Sequence, residues 1–325
     1  MTVTLRKDAP NRRADRPPTG GNIPATRRRT VSERNRPLWL LTPGAVLIGL
    51  IIVVPLVIGV YIAMLQLDQY TIRKWISAPF VGLNNFVEAF TGTDLLHALW
   101  NSVSFAVIST VITVPIGVYA ALATQNRFRG RGLVRSVFLI PYVLPSFVVG
   151  TFWHTMLQPD GIVNKILGEV GIPAVHWLYG PASYWVLIAV EVWAAWPFIY
   201  LMALAGLQSV DAEVHEAAAL DGAPWWTKLR YVIFPYLKGP VALACLIATL
   251  HHLNNFSLAF LLFGVPAPTD VQILPTLVYS MSFTSLRFGM GAAMALLSLA
   301  LIALPLFIYL RAVRLDTGND SGGKR

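Results

Sequence analysis

Six apolar runs, each long enough to cross a bilayer, leave this sequence little choice of architecture. They lie near residues 38–65, 99–124, 134–157, 184–207, 239–263 and 288–312. About 20 apolar residues suffice for one helical crossing, and in lipid a spanning segment must satisfy its own peptide groups. The expected fold is an all-α membrane protein of six transmembrane helices. Composition agrees, since 55% of the 325 residues are hydrophobic and only 13% charged, with a mean hydropathy of +0.60, outside the range of ordinary soluble domains.

The basic residues are distributed unevenly between the loops. The segments on one side hold ten Lys/Arg in residues 1–37, four in 127–135, three in 208–238 and four in the tail. The opposite loops hold only Arg73, Lys74, Lys165 and Arg287. A ratio of 21 to 4 predicts that both termini and the 208–238 loop are cytoplasmic.

Residues 1–37 are polar, Pro-rich and basic, and nothing in them can build a core, so they read as a disordered cytoplasmic arm that anchors topology. Residues 38–313 form the membrane domain and 314–325 a cytoplasmic tail. The run from Leu38 is too long for a signal-peptide core and lacks a clear small-residue cleavage site. A net charge of +9 raises the question of nucleic acid. No basic face interleaved with aromatics exists to bind it. Cys245, the only cysteine, falls in an apolar span and excludes an intrachain disulfide.

The longest polar interruption on the cytoplasmic side is DAEVHEAAALDGAPWWTKLRYVIFP, residues 211–235. Asp211 is placed to cap a short helix over 212–220, with Val214, Ala217 and Ala218 on a shared face. Asp221-Gly222-Ala223 then reads as a stop and turn, because Gly takes the positive φ that ends a helix, and Pro224 suits the first turn of a second helix. Small Ala side chains beside a Gly turn let a partner's surface approach closely.

This spacing resembles one family. Importer permeases of the ATP-binding-cassette class carry Glu-Ala-Ala, three residues, Gly, nine residues, then Ile-x-Leu-Pro in a cytoplasmic loop. Here the match is Glu216-Ala217-Ala218, Gly222 and Val232-Ile233-Phe234-Pro235, with apolar residues replacing Ile and Leu. Outer segments are similar to the sugar-type members: Val81-Gly82-Leu83-Asn84-Asn85-Phe86; Gly161 with Asn164 and Leu167; and Glu191-x-Trp193, Pro197-Phe198 and Ala205-Gly206-Leu207. One departure stands after the fifth run, where Phe263-Gly264-Val265-Pro266-Ala267-Pro268 replaces the Gly-Gly-Pro of many sugar-type members.

The resemblance implies a type I importer permease in a bacterial plasma membrane, with the 208–238 loop carrying a coupling helix. Glu216, Ala217, Ala218, Asp221, Gly222 and Pro235 would dock into a cleft on an ATP-hydrolysing subunit. The implied partners are two ATP-binding cassette subunits, a second permease subunit and an extracytoplasmic solute-binding protein. The solute is expected to be a sugar or oligosaccharide. A polyamine, a phosphate ester or a peptide on the same fold, or a scaffold without transport, are the rival readings.

Polar side chains inside the spans are the candidates for a solute path. Glu191 lies about eight residues into the fourth run, roughly 12 Å deep at 1.5 Å per residue. His251, Asn254 and Asn255 are expected on one face of the fifth helix at i, i+3 and i+4, with His252 beside them. Amide and carboxylate groups hold hydroxyl-rich solutes, and Trp153 and Trp193 offer flat faces to sugar rings. The same polar groups also join helices by interhelical hydrogen bonds, and Trp is common at membrane interfaces, so both readings stay open at this point.

The sequence contains no Gly-x-x-x-x-Gly-Lys-Ser/Thr loop, His-Glu-x-x-His pair or Gly-x-Ser-x-Gly turn. The expectation is a transport subunit rather than an enzyme. It predicts no metal or cofactor on this chain, and ATP and Mg on its partners.

Overall fold

The computed structural model describes residues 36–322, apart from 212, 215–219 and 223. The arm up to residue 35 and the docking residues Glu216, Ala217 and Ala218 lie outside the described residues. The chain divides into two units, 1–54 and 55–325. In the first, α1 (Arg36–Ile48) passes into a π-helical turn, Gly49–Val53. Its apolar side chains, such as Leu47, Ile51 and Val53, are exposed, as lipid-facing side chains are. Leu41–Ala63 is long and apolar enough to cross a membrane.

The next helix, α2 (Val54–Ala63), starts at the last residue of the first unit, and the second unit takes in the rest of it and the helices that follow. A short helix, α3 (Asn84–Gly92), follows the first span. Asn85, in the element that resembles sugar-type permeases, donates to the carbonyls of Ala63 at 2.8 Å and Leu65 at 2.9 Å. It thereby closes the end of α2.

The centre of the unit is three long helices in mutual contact: α4 (Leu95–Thr124), α8 (Pro181–Gln208) and α10 (Phe234–Leu253). Between helices in lipid the association comes from close packing rather than from water exclusion, and small residues permit it. The buried face of α4 carries Ser102, Ala106, Ser109, Thr113, Gly117 and Ala121. A Cβ built on Gly117 would lie only 2.6 Å from Ile199 Cβ and 2.8 Å from Tyr200 N. Glycine at 117 is therefore what sets the approach of α4 to α8.

The third apolar run is not one straight span. It is α5 (Arg131–Val143) and α6 (Ser146–Met156), bent by 89° at Leu144-Pro145. Pro145 supplies no N–H to the carbonyl of Pro141 and pushes Leu144 into extended geometry, φ −68° and ψ 131°. A short helix, α7 (Ile162–Glu169), follows it, with Val163 packed against the main apolar cluster.

The fifth run also departs from expectation. Its helical segment begins at Trp225, well before 239, through α9 (Trp225–Lys228) and a π-helical turn at Leu229–Ile233. It ends at Leu253 instead of continuing to 263. Asn254 closes α10, and Asn255 starts α11 (Phe256–Phe263) by accepting the Leu258 N–H on its side chain at 3.2 Å. An Asn able to cap a new helix competes with continuation of the old one. Pro224, expected in the first turn, is instead the N-cap of α9.

The two half-helices created by these breaks, α6 and α11, pack against each other. A Cβ on Gly150 would sit 2.5 Å from Leu261 Cβ, and His154 Nδ1 lies 2.7 Å from the Leu262 carbonyl. The chain closes with α12 (Leu274–Tyr279) and α13 (Phe288–Gly322). Membrane-length helices thus number five among the described residues, or six with the bent pair. No strand occurs among the described residues, only an isolated bridge between Leu65 and Phe80.

Candidate functional site

The two breaks face one cavity of about 630 Å³. Pro141, Tyr142, Leu144 and Ser146 line it from the break in the third run, and His251 through Leu258, except Leu253, from the break in the fifth. Helix α8 closes it with Glu191, Ala194, Ala195 and Phe198. Irregular backbone at membrane depth is tolerated where it is buried in protein or lines a cavity. Discontinuous helices meeting at one place are how many transport proteins present main-chain groups to a solute.

Glu191 is the polar centre of the wall. It is 2% exposed, and both carboxylate oxygens are engaged. His252 Nδ1 donates to Oε1 at 2.7 Å, and Asn255 Nδ2 donates to Oε2 at 2.5 Å. The orientation of the Asn255 amide follows from its other bond, because the Leu258 N–H must meet Oδ1. His252 is itself 1% exposed, with the ring edge of Phe105 against it.

The expected face of His251, Asn254 and Asn255 is not a helical face, because α10 stops before Asn254. The residues that converge on Glu191 are His252 and Asn255. The His251 side chain stays 66% exposed, with Nε2 3.8 Å from Glu191 Oε1. Asn254 is exposed at the rim and lines the cavity without reaching Glu191.

Trp153 and Trp193 stand edge to face at 5.6 Å within an apolar cluster and are not among the residues lining the cavity. The aromatic residues in the cavity wall are instead Phe256 and the pair Tyr142 and Phe198, stacked at 6.0 Å and 26°. Sequence reasoning misses all three as cavity-lining residues. The signal that finds Tyr142 is Pro145, whose predecessor must leave the helix and turn the last residues of α5 toward the gap.

Of the docking candidates that are described, Gly222 has φ +63° with nothing within 4 Å of a built Cβ, as the stop-and-turn reading requires. Asp211 and Asp221 are exposed. Pro235 is the second residue of α10, about two and a half turns into the helical run that starts at Trp225. Among the described residues no group of three His, Cys, Asp or Glu is placed to hold a metal ion.

Comparison with known proteins agrees with this architecture. The trehalose/maltose transport system permease protein MalF of Thermococcus litoralis is 28% identical over 280 residues, covering 85% of this chain and 92% of its own. A probable ABC transporter permease protein, y4oQ of Sinorhizobium fredii, is 30% identical over 279 residues, 83% of this chain and 87% of its own. The trehalose transport system permease protein SugA of Mycobacterium tuberculosis is 28% identical over 282 residues, 86% and 89%. Among solved structures, a bacterial alginate ABC transporter in complex with an alginate pentasaccharide-bound periplasmic protein shares the fold. Its TM-score is 0.74 at 20% identity, over 87% of this chain and 96% of that one. Residues 113–314 match the family described as "Binding-protein-dependent transport system inner membrane component", and the chain belongs to that family.

Proposed function

We propose that this chain is the permease subunit of an ATP-driven importer for a sugar or oligosaccharide, received from an extracytoplasmic binding protein. The observation that carries the reading is the cavity at the paired helix breaks. It combines stacked aromatic faces at Tyr142 and Phe198 with polar edges at Ser146, His251, Asn254 and Ser257. Aromatic planes accept the C–H faces of sugar rings, and amide, imidazole and hydroxyl groups pair with ring hydroxyls. The names of the relatives, trehalose and maltose transport permeases among them, support the same solute class.

The motor is supplied by other chains in this reading. Two ATP-binding cassette subunits carry ATP and Mg and engage the loop around residues 211–235 of this chain and its counterpart on a second permease subunit. Closure of the motor on ATP moves the spans between inward-open and outward-open states, and the binding protein loads the latter. A ligand shifts such an equilibrium only by its preference for one state. The charge asymmetry between the loops supports a plasma-membrane orientation with both termini in the cytoplasm.

The test is uptake of radiolabelled trehalose and maltose by proteoliposomes holding the complex purified with its ATPase and binding-protein partners. ATP-dependent uptake of at least one disaccharide is expected. Purification without an ATPase subunit would refute the importer reading, and uptake of polyamine or peptide in place of either sugar would refute the solute class.

A further inference from the structure

Glu191 is the obvious polar residue of the cavity, yet its geometry suits a different task from touching solute. A carboxylate that meets solute must stand open to it. Here one oxygen receives His252 Nδ1–H at 2.7 Å and the other Asn255 Nδ2–H at 2.5 Å, with the residue 2% exposed. Both donors belong to the break between α10 and α11. His252 is in the last turn of α10, and Asn255 is the N-cap of α11.

Asn255 works in two directions at once. Its Oδ1 accepts from Leu258 N and starts α11, and its Nδ2 is bound by Glu191 of α8. The position of the break is thereby tied to α8. His251 and Asn254, on either side of the end of α10, are both exposed and both line the cavity. Because α11 is packed on α6, the same tie extends to the second half-helix bounding the cavity.

We infer that Glu191 is a positioning residue for transport. Through His252 and Asn255 it holds the interrupted fifth helix in the register that presents His251 and Asn254 to solute, and it does not itself bind the solute. This role rests on the proposed solute path, and it sets Glu191 apart from the exposed residues of the cavity wall.

The geometry offers a sharp test through exchange of partners. Glu191→Gln leaves one acceptor and one donor facing two donors, so one of the two bonds is lost. Asn255→Asp sets two carboxylates against each other. The double variant E191Q/N255D restores every bond with one polarity reversed. In it the side-chain amide oxygen at position 191 accepts from His252, and the amide nitrogen donates to the new carboxylate at position 255. The other oxygen of that carboxylate still caps Leu258 N. The charge of the pair is unchanged. The measurement is KM and maximal rate of radiolabelled trehalose uptake by the whole complex in proteoliposomes, with the unfolding midpoint of each purified complex.

We expect each single variant to raise KM about tenfold or more, from the loss of a hydrogen bond to a charged group. The double variant should return to within about threefold of wild type. His251→Ala and Asn254→Ala should raise KM without lowering the unfolding midpoint. If those two raise KM but E191Q/N255D stays as impaired as E191Q, Glu191 meets solute directly and the positioning role is overturned. Unfolding midpoints that fall in the single variants while KM holds would reduce Glu191 to a purely structural contact and overturn it too. If His251→Ala and Asn254→Ala both transport with wild-type KM, the solute path itself is refuted.

Discussion

Gly117→Ala tests whether the contact of α4 with α8 governs the stability of the membrane core. The new methyl would lie 2.6 Å from Ile199 Cβ, 2.8 Å from Ile199 Cγ2 and 2.8 Å from Tyr200 N. Carbon atoms settle near 3.5–4.0 Å, so the helices must part by about 1 Å at their crossing. Overpacking of this kind costs about 1–3 kcal/mol, and with two of the three contacts to immovable atoms the upper end applies. Replacing Gly by Ala inside a helix returns about 1 kcal/mol, leaving a net loss of about 2 kcal/mol. Truncating Ile199 to Ala does not rescue the variant, because the Cβ and the Tyr200 nitrogen remain. Gly206→Ala is the control. Its methyl would meet the end of the Leu237 side chain and Pro240 Cγ at 3.2 Å, so the propensity gain should offset most of the crowding. Unfolding of the purified chain in mixed micelles titrated with SDS reads both. A Gly117→Ala midpoint equal to wild type, or a Gly206→Ala protein less stable than Gly117→Ala, would refute the packing argument.

Two further outcomes follow from single residues. Gly222→Val should abolish uptake while the chain still inserts, and Gly222→Asn should retain most of it. The backbone there is left-handed and costs a β-branched residue roughly 1–2 kcal/mol, whereas Asn tolerates it. Wild-type uptake by the Val variant would sink the docking role of this turn. Asn164→Leu should destabilise the outer loop by more than about 2 kcal/mol, since Val175 N–H and Trp177 Nε1–H both lose their shared acceptor at 3.1 and 3.0 Å. Faster protease clipping within residues 170–180 checks it, and an unchanged rate would refute it.

The sequence is most legible where one property acts alone. Apolar run length locates the membrane segments, because the cost of an unpaired peptide group in lipid admits few exceptions. Breaks inside those runs are not legible from hydropathy. Leu144-Pro145 and Asn254-Asn255 interrupt helices without lowering the apolar character of their surroundings enough to end a span. Pro145 is visible as a kink, but whether a proline bends a helix by a few degrees or by 89° depends on what packs into the gap. The polar residues of the fourth and fifth runs do meet in space, as their cost in lipid suggests. Which of them pair is hidden, because helical spacing groups His251 with Asn254 and Asn255, whereas His252 and Asn255 are the two that bond Glu191. Trp153 and Trp193 are read by residue type alone, and the type fits a packed edge-to-face pair equally well.

The bend at Pro145 also bears on how this cavity can change over evolutionary time. At a helix break part of the polar wall is main chain, which no point substitution removes. The shape of the site is set by side chains that mutation can exchange one at a time, Tyr142, Ala194, Ala195 and Phe198 among them. On the proposed solute path, a descendant of this chain can therefore acquire a new solute by small steps at those positions while the main-chain part of the wall is kept.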